Sequence, residues 1–285
     1  MIPHITAVQF FIGLVIIACA LSLAMSLAWA IEQRTKNSGW IDTVWTFGLG
    51  SIGVASALIP LPTQASTSAR QWLVAAVMLI WSLRLGAHIA QRSGERSDDP
   101  RYAKLRDGYG DQARWQMWLL AQKQAIVSIP MALAVWLAAH NPTPGLRTQD
   151  FIAILVLATA IGGEALADRQ LRAFRHSNPA AGAICDTGLW SWSRHPNYFF
   201  EWFGWLAYPL IAIDLNGTYP FGWFALAAPA CMYWLLVYVS GIPPLEEHML
   251  KTRGNAFRSY QAQTSAFFPL APRTIPDNTP PGTQS

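Results

Sequence analysis

Residues 7–31 read AVQFFIGLVIIACALSLAMSLAWAI, an unbroken stretch without one charged side chain. A helix crosses the hydrocarbon core of a bilayer in about 20 residues. There the backbone must satisfy its own hydrogen bonds, so only a helix or a closed barrel is stable. The stretch is too long, and too poor in preceding positive charge, for a cleaved signal peptide. With the first span at about 7–30, six further apolar segments follow at about 41–60, 71–90, 116–139, 151–168, 198–213 and 219–241. The fourth carries Gln122, Lys123 and Gln124, which read as interfacial; the sixth is short and carries Glu201.

Composition closes the alternatives. Hydrophobic residues make up 52% of the 285 residues and charged ones 13%, the latter about half the soluble average. So few charges cannot cover a water-soluble globule, and so many apolar groups exclude disorder. Three cysteines exclude a disulfide scaffold. The expectation is an all-α polytopic membrane helix bundle of about seven transmembrane helices. It forms a single domain over 1–273 with a cytoplasmic amphipathic C-terminal segment, and residues 274–285 form a disordered tail.

The net charge of +4 does not mark a nucleic-acid binder, because the basic residues flank the apolar segments instead of forming a stripe. With the N-terminus outside, the inside connections are 31–40, 91–115, 169–197 and everything after 242. They hold Arg34, Lys36, Arg92, Arg96, Arg101, Lys104, Arg106, Arg114, Arg169, Arg172, Arg175, Arg194, Lys251, Arg253, Arg258 and Arg273. Only Arg70 and Arg147 fall outside, in short connectors rich in Pro, Gly, Ser and Thr, while Arg84 and Lys123 fall within spans. That distribution places the C-terminus in the cytoplasm.

An ionisable side chain within a span is costly unless it faces protein or water, which makes it a functional candidate. Asp42, Arg84, Lys123, Glu164, Asp168 and Glu201 qualify, although helix-end anchoring and interhelical ion pairs account equally for Asp42, Arg84 and Asp168. Glu164 and Asp168 are one turn apart on a face that continues to Arg172 and Arg175. Acids followed by arginines on one face can accept from an amide and then meet a phosphate; a membrane-exit helix laced with ion pairs has the same pattern. The densest polar stretch is CDTGLWSWSRHPNYFFEW, residues 185–202. Pro196 disfavours helix at His195 and suits a helix start, which puts Asn197 and Glu201 on one face. Arg194 and His195 then occupy the preceding loop, a favourable place for an anion. After Gly241-Ile242-Pro243-Pro244, an amphipathic stretch brings Glu246 and Glu247 to its first turn and can turn Tyr260 inward. No His/Cys spacing fits a metal, no nucleophile elbow is present, and no glycine-rich nucleotide loop occurs.

These motifs carry a family likeness. TGLWSWSRHPNYFFE (187–201) and LEEHMLKTRGNAFRSYQAQTSAFFP (245–269) resemble the C-terminal half of bacterial membrane proteins related to steroid 5-alpha-reductases. SGWIDTVWTFG and WSLRLGAHIAQR resemble N-terminal motifs of the uncharacterised bacterial branch of that superfamily. Isoprenylcysteine and phospholipid methyltransferases share a similar RHPxYxGE-like signature, in which Phe200 stands here at the glycine.

The resemblance implies an inner-membrane protein with a cytoplasmic-side cavity for NADPH and a hydrophobic, lipid-like enone substrate entering from the bilayer. It places Asp168, Arg175, Asn197 and Glu201 at the cofactor, with Arg194 and His195 beside its phosphates. Glu164, Arg172 and Tyr260 join that set from the residue reading. On the substrate side, Trp81, Arg84 and His88 stand where the steroid reductases have a tyrosine. Arg84 and His88 are candidate donors to the substrate oxygen, and Tyr198 is a candidate proton source. The alternatives are an S-adenosylmethionine-dependent methyltransferase, whose cofactor carries no phosphate, and a non-enzymatic scaffold or transporter.

Overall fold

The computed structural model describes residues 5–273 other than 63, 65, 96, 97, 99, 178, 179 and 181; the tail expected at 274–285 lies outside them. The described chain is helical and polytopic. Its helices are α1 (Ala7–Thr35), α2 (Gly39–Leu58), α3 (Ala69–Gly94), α4 (Pro100–Tyr109), α5 (Ala113–Ala139) and α6 (Thr148–His176). They continue with α7 (Leu189–Trp192), α8 (Pro196–Trp205), α9 (Ala207–Ala212), α10 (Ala227–Trp234) and α11 (Ile242–Gln263). Among the described residues, six helical stretches are long and apolar enough to cross a membrane.

The segment expected as one span at 198–213 is two short helices, α8 and α9, with Leu206 between them. Pro209 lacks the N–H that would bond to Trp205, and its ring crowds that carbonyl, which weakens the helix at the point where it breaks. The last apolar stretch is also irregular. A 3₁₀ turn at Pro220–Leu226 leads into α10, and a π turn at Leu235–Val239 ends it. Gly241 breaks the chain before α11. That final helix carries Glu246, Glu247, His248, Lys251, Arg253 and Arg258, too polar for hydrocarbon, so the span ends at Gly241.

The chain divides into two compact units. The first comprises residues 1–157 and 205–231. Its centre is α5, where every residue from Met131 to Ala139 is buried, with α1, α2, α3, α4 and α9 packed on it. Val8, Phe11, Ile12, Val15 and Ile16 of α1 stay exposed, as suits a helix whose solvent is lipid. Small residues bring α2 and α3 together: an added methyl at Gly53 would meet Met78, and one at Gly86 would meet Phe47. Lys123 is exposed, and its neighbour Gln122 faces α1. Gln122 accepts from Ser22 Oγ (2.7 Å) and donates to Ser26 Oγ (3.1 Å), tying α5 to α1.

The connectors around Arg70 and Arg147 hold a buried ionic network instead of loose turns. Arg70 Nη2 pairs with Asp150 (2.9 Å) with both side chains essentially inaccessible. Arg70 also donates to the carbonyls of Asn141 (2.9 Å), Thr143 and Gly145 (both 2.6 Å). Arg147 pairs with the other Asp150 oxygen (3.0 Å) and donates to the Ile213 carbonyl (3.0 Å). Asn141 donates to the carbonyls of Ile211 and Ala212, which the end of α9 leaves unpaired (3.0 Å each).

The second unit comprises 158–204 and residues from 232 onward. It contains the C-terminal part of α6, then α7, α8, the π turn and α11.

Candidate functional site

The second unit assembles the polar loop at 185–195 from both sides. Gly188 sits at φ +61°, a conformation that favours glycine, and any side chain there would strike Gln170. Gln170 Oε1 accepts from Leu189 N (3.0 Å), and the Trp190 indole donates to the Ala167 carbonyl (3.0 Å), so the loop is tied to α6. From the other side comes the C-terminal segment. Arg194 N donates to Ser265 O (2.8 Å), Leu270 N to Trp192 O (3.0 Å), and Ser193 Oγ to Phe267 O (2.9 Å), around a single parallel bridge between Ser193 and Ser265. Tyr260 is buried, as its expected inward orientation requires, and donates to the Trp190 carbonyl (2.5 Å).

Glu246 is the hub of this assembly. Its carboxylate receives Arg194 Nε (2.7 Å) and Nη2 (3.1 Å), His195 Nε2 (2.9 Å) and Gln261 Nε2 (2.7 Å). The remaining Arg194 nitrogen donates to the carbonyls of Gln261 (3.3 Å) and Thr264 (2.5 Å). Burial would raise the Glu246 carboxyl, but the hydrogen bonds from His195 and Arg194 and the arginine charge outweigh it and hold it at about 2. His195 is pushed down by burial and by Arg194, against the opposing pull of Glu246, so its ring is neutral. An ionised carboxylate can only accept, so the His195 proton sits on Nε2. The ring also stacks on Tyr198, with centroids 5.5 Å apart and 12° between planes.

The sequence reading places Arg194 and His195 in a loop ahead of α8, and they are there, but their side chains turn toward Glu246 and the C-terminal carbonyls. The helix start at Pro196 is as expected, and it puts Asn197 and Glu201 one turn apart on α8. Glu164 is buried on α6, Asp168 is half-buried, and Arg172 and Arg175 are exposed one and two turns later. Asp168 and Asn197 bond to no described residue through their side chains. Arg84 and His88 lie half-buried on α3 in the first unit. No group of three or more His, Cys, Asp or Glu among the described residues could hold a metal.

Glu246 was read from the sequence only as a first-turn residue of the last helix. Arg194 and His195 are adjacent cations seeking an acid, and Glu246 is the acid that the fold brings to them. Phe200 shows a second accommodation. Its ring fills the space beside Gly163 that a methyl group would occupy, so the bulk on α8 is matched by a glycine on α6. Gly163→Ala is expected to cost about 1–3 kcal/mol through overpacking. Gly163→Ala/Phe200→Ala should regain most of it in detergent melting, and equal loss in both would refute the pairing.

Residues 28–264 match the family described as "Protein of unknown function (DUF1295)". The chain belongs to that family. It is a steroid 5-alpha-reductase-like family, and the matched region takes in Arg84, His88, the α6 acids and arginines, the loop before α8 and Glu246. The chain is also 24% identical to an uncharacterised protein of Schizosaccharomyces pombe, over 86% of this chain and 76% of that protein. No solved structure matches it significantly.

Proposed function

We propose that this DUF1295 member is an NADPH-dependent reductase of the bacterial inner membrane, N-terminus outside and C-terminus cytoplasmic. It would reduce an activated carbon–carbon double bond in a steroid-like or other lipid substrate taken from the bilayer. The observation that carries the reading is the face of α6. A half-buried carboxylate without a described partner, Asp168, is followed one and two turns later by exposed Arg172 and Arg175. A carboxylate suits an amide, and exposed guanidinium groups at a helix C-terminus suit phosphate oxygens. Asn197 adds an amide with the same freedom on α8, beside Glu201.

When bound, the nicotinamide cofactor supplies a hydride. The rest falls to the chain. Asp168, Asn197, Glu164 and Glu201 would hold and orient the nicotinamide end, and Arg172 and Arg175 would neutralise the phosphates. Arg194, His195 and Tyr260 act at one remove, by holding the loop. Arg84 and His88 are the proposed donors to the substrate oxygen as it gains charge, and Tyr198 is the proposed proton source.

The engagement of Arg194 favours one alternative. Its guanidinium is turned to Glu246 and two backbone carbonyls and not to a phosphate, as an S-adenosylmethionine methyltransferase would tolerate. Titration of the purified chain in mild detergent with NADPH and with S-adenosylmethionine separates the two. Arg175→Ala is expected to weaken NADPH binding at least tenfold, about 1.4 kcal/mol. Unchanged NADPH affinity in that variant, or tight binding of S-adenosylmethionine alone, would overturn the reductase.

A further inference from the structure

Helices α1 and α5 meet along a seam whose register is fixed by side chains. Gln122 of α5 bonds to Ser22 and Ser26 of α1, and the Trp118 indole donates to Ser26 Oγ (3.4 Å). One turn earlier on α5, the Arg114 carbonyl accepts the Trp29 indole N–H of α1 (3.1 Å). Three tryptophans thus gather where α5 begins. Trp115, 57% exposed, stacks on Trp118 with centroids 4.9 Å apart, and the Arg114 guanidinium lies over the Trp29 ring (5.5 Å). The 27 residues of α5 make about 40 Å of helix at about 1.5 Å per residue, against a hydrocarbon core of about 30 Å. Its surplus length and the tryptophans put its first turn among the lipid headgroups.

At that level stand two opposite charges that do not use each other. Asp111 lies in the 3₁₀ turn at Gly110–Gln112 and Arg114 in the first turn of α5, both exposed. Side chains three apart are neighbours on a helix and nearly eclipse in a 3₁₀ turn. No ion pair joins these two, and neither side chain has an ion pair or hydrogen bond with any other described residue. Trp29 takes the face of the guanidinium, which leaves its N–H edge to donate. An anion alone would gain from Arg114 and be repelled by Asp111; a cation alone would meet the reverse. A group that carries both signs a few bonds apart satisfies the two together, and the headgroup of a zwitterionic phospholipid is such a group.

We propose that Asp111 and Arg114 bind the headgroup of phosphatidylethanolamine. Its ammonium donates to the Asp111 carboxylate, its phosphate accepts from Arg114, and its glycerol and first methylenes lie against Trp115. Phosphatidylcholine fits less well, because its methylated nitrogen has no N–H to donate. The site is independent of the cofactor and of the direction in which the chain crosses the membrane.

The test is native mass spectrometry of the full chain in mild detergent with equal amounts of dioleoyl phosphatidylethanolamine, phosphatidylglycerol and phosphatidylcholine. The unaltered chain is expected to retain the ethanolamine lipid about fivefold over either of the others, a difference of about 1 kcal/mol. Asp111→Asn should remove that preference, since the phosphate contact to Arg114 is common to all three lipids, and Arg114→Gln should lower the retention of all three. Asp111 is exposed and unpaired, so melting of Asp111→Asn should be unchanged, which separates lost binding from lost folding. Glu247→Gln, the same change of charge on α11, should keep the preference. Equal retention of the three lipids by the unaltered chain would overturn the proposal. So would a preference that survives Asp111→Asn, or one that Glu247→Gln also abolishes.

Discussion

Glu246→Ala is expected to release the C-terminal segment from the loop before α8 and to lower stability by about 3–5 kcal/mol. The carboxylate takes four hydrogen bonds from three side chains. Its removal leaves the Arg194 guanidinium, 10% exposed, without a counter-charge. Two carbonyl contacts remain to Arg194, which places the effect toward the lower end of that range. For a chain of this size the loss corresponds to roughly 6–12 °C in apparent melting temperature. Glu246→Gln keeps the shape and part of the hydrogen bonding and should fall between. Glu247→Ala is the control, since Glu247 is exposed and pairs with Lys251 one turn on; such a surface pair is worth at most about 1 kcal/mol. Limited proteolysis gives a second reading: cleavage after α11 should accelerate in Glu246→Ala and remain slow in Glu247→Ala. Equal melting and equal cleavage in the two variants would show that the hub does not hold the segment.

The same cluster predicts an acid-labile contact. Glu246 titrates at about 2 in the folded chain, against about 4.3 when unfolded. Its contribution is therefore complete above the unfolded value and disappears as pH falls toward 2. His195 is depressed from an ordinary value of about 6.5. Its contribution is present above 6.5 and is lost as pH falls through the lower folded value. Both signs agree, so acidification loosens the segment and alkaline conditions up to the tyrosine range do not. Histidine replacement isolates the first stage: His195→Gln should flatten the pH dependence just below neutrality and leave the steeper loss at lower pH intact.

Much of the architecture was legible because a bilayer demands long apolar helices, and residues 7–31 or 151–168 can be nothing else. The break at 205–207 was less legible, since apolar composition overrides the one local signal, Pro209. Within the candidate site, the periodic features were readable: the helix start at Pro196 and the shared faces of Glu164 with Asp168 and of Asn197 with Glu201 follow from local geometry. The partner of Arg194 was not. It lies 52 positions away on α11, and no periodic rule connects the two. Phe200 looked like a departure from the family pattern until Gly163, on another helix, proved to make room for it. Long-range complementarity of this kind is carried by packing, which a single sequence does not display.

The buried pair between Arg70 and Asp150 was the feature least visible in the sequence, and it carries the other large expected effect. Arg70 was read as a loop residue, yet it donates to Asp150 and to three carbonyls of the 140–149 connection. Asp150 in turn serves Arg70, Arg147 Nη2 and the Arg147 backbone N–H (2.8 Å). Asp150→Ala thus takes the buried counter-charge from Arg70 and one of two nearby acids from Arg147, and should cost about 3–5 kcal/mol. Arg70→Met removes the cation and leaves the carbonyls of Asn141, Thr143 and Gly145 short of a donor, with Arg147 still neutralising Asp150, so its cost should be smaller. Because the two single losses share one interaction, Arg70→Met/Asp150→Leu is expected to be less destabilised than their sum, with a coupling of about 1–3 kcal/mol. Melting of the four proteins in one detergent measures that coupling. Additivity within about 0.5 kcal/mol would mean that the carbonyl bonds, and not the charge pair, hold the connection in place.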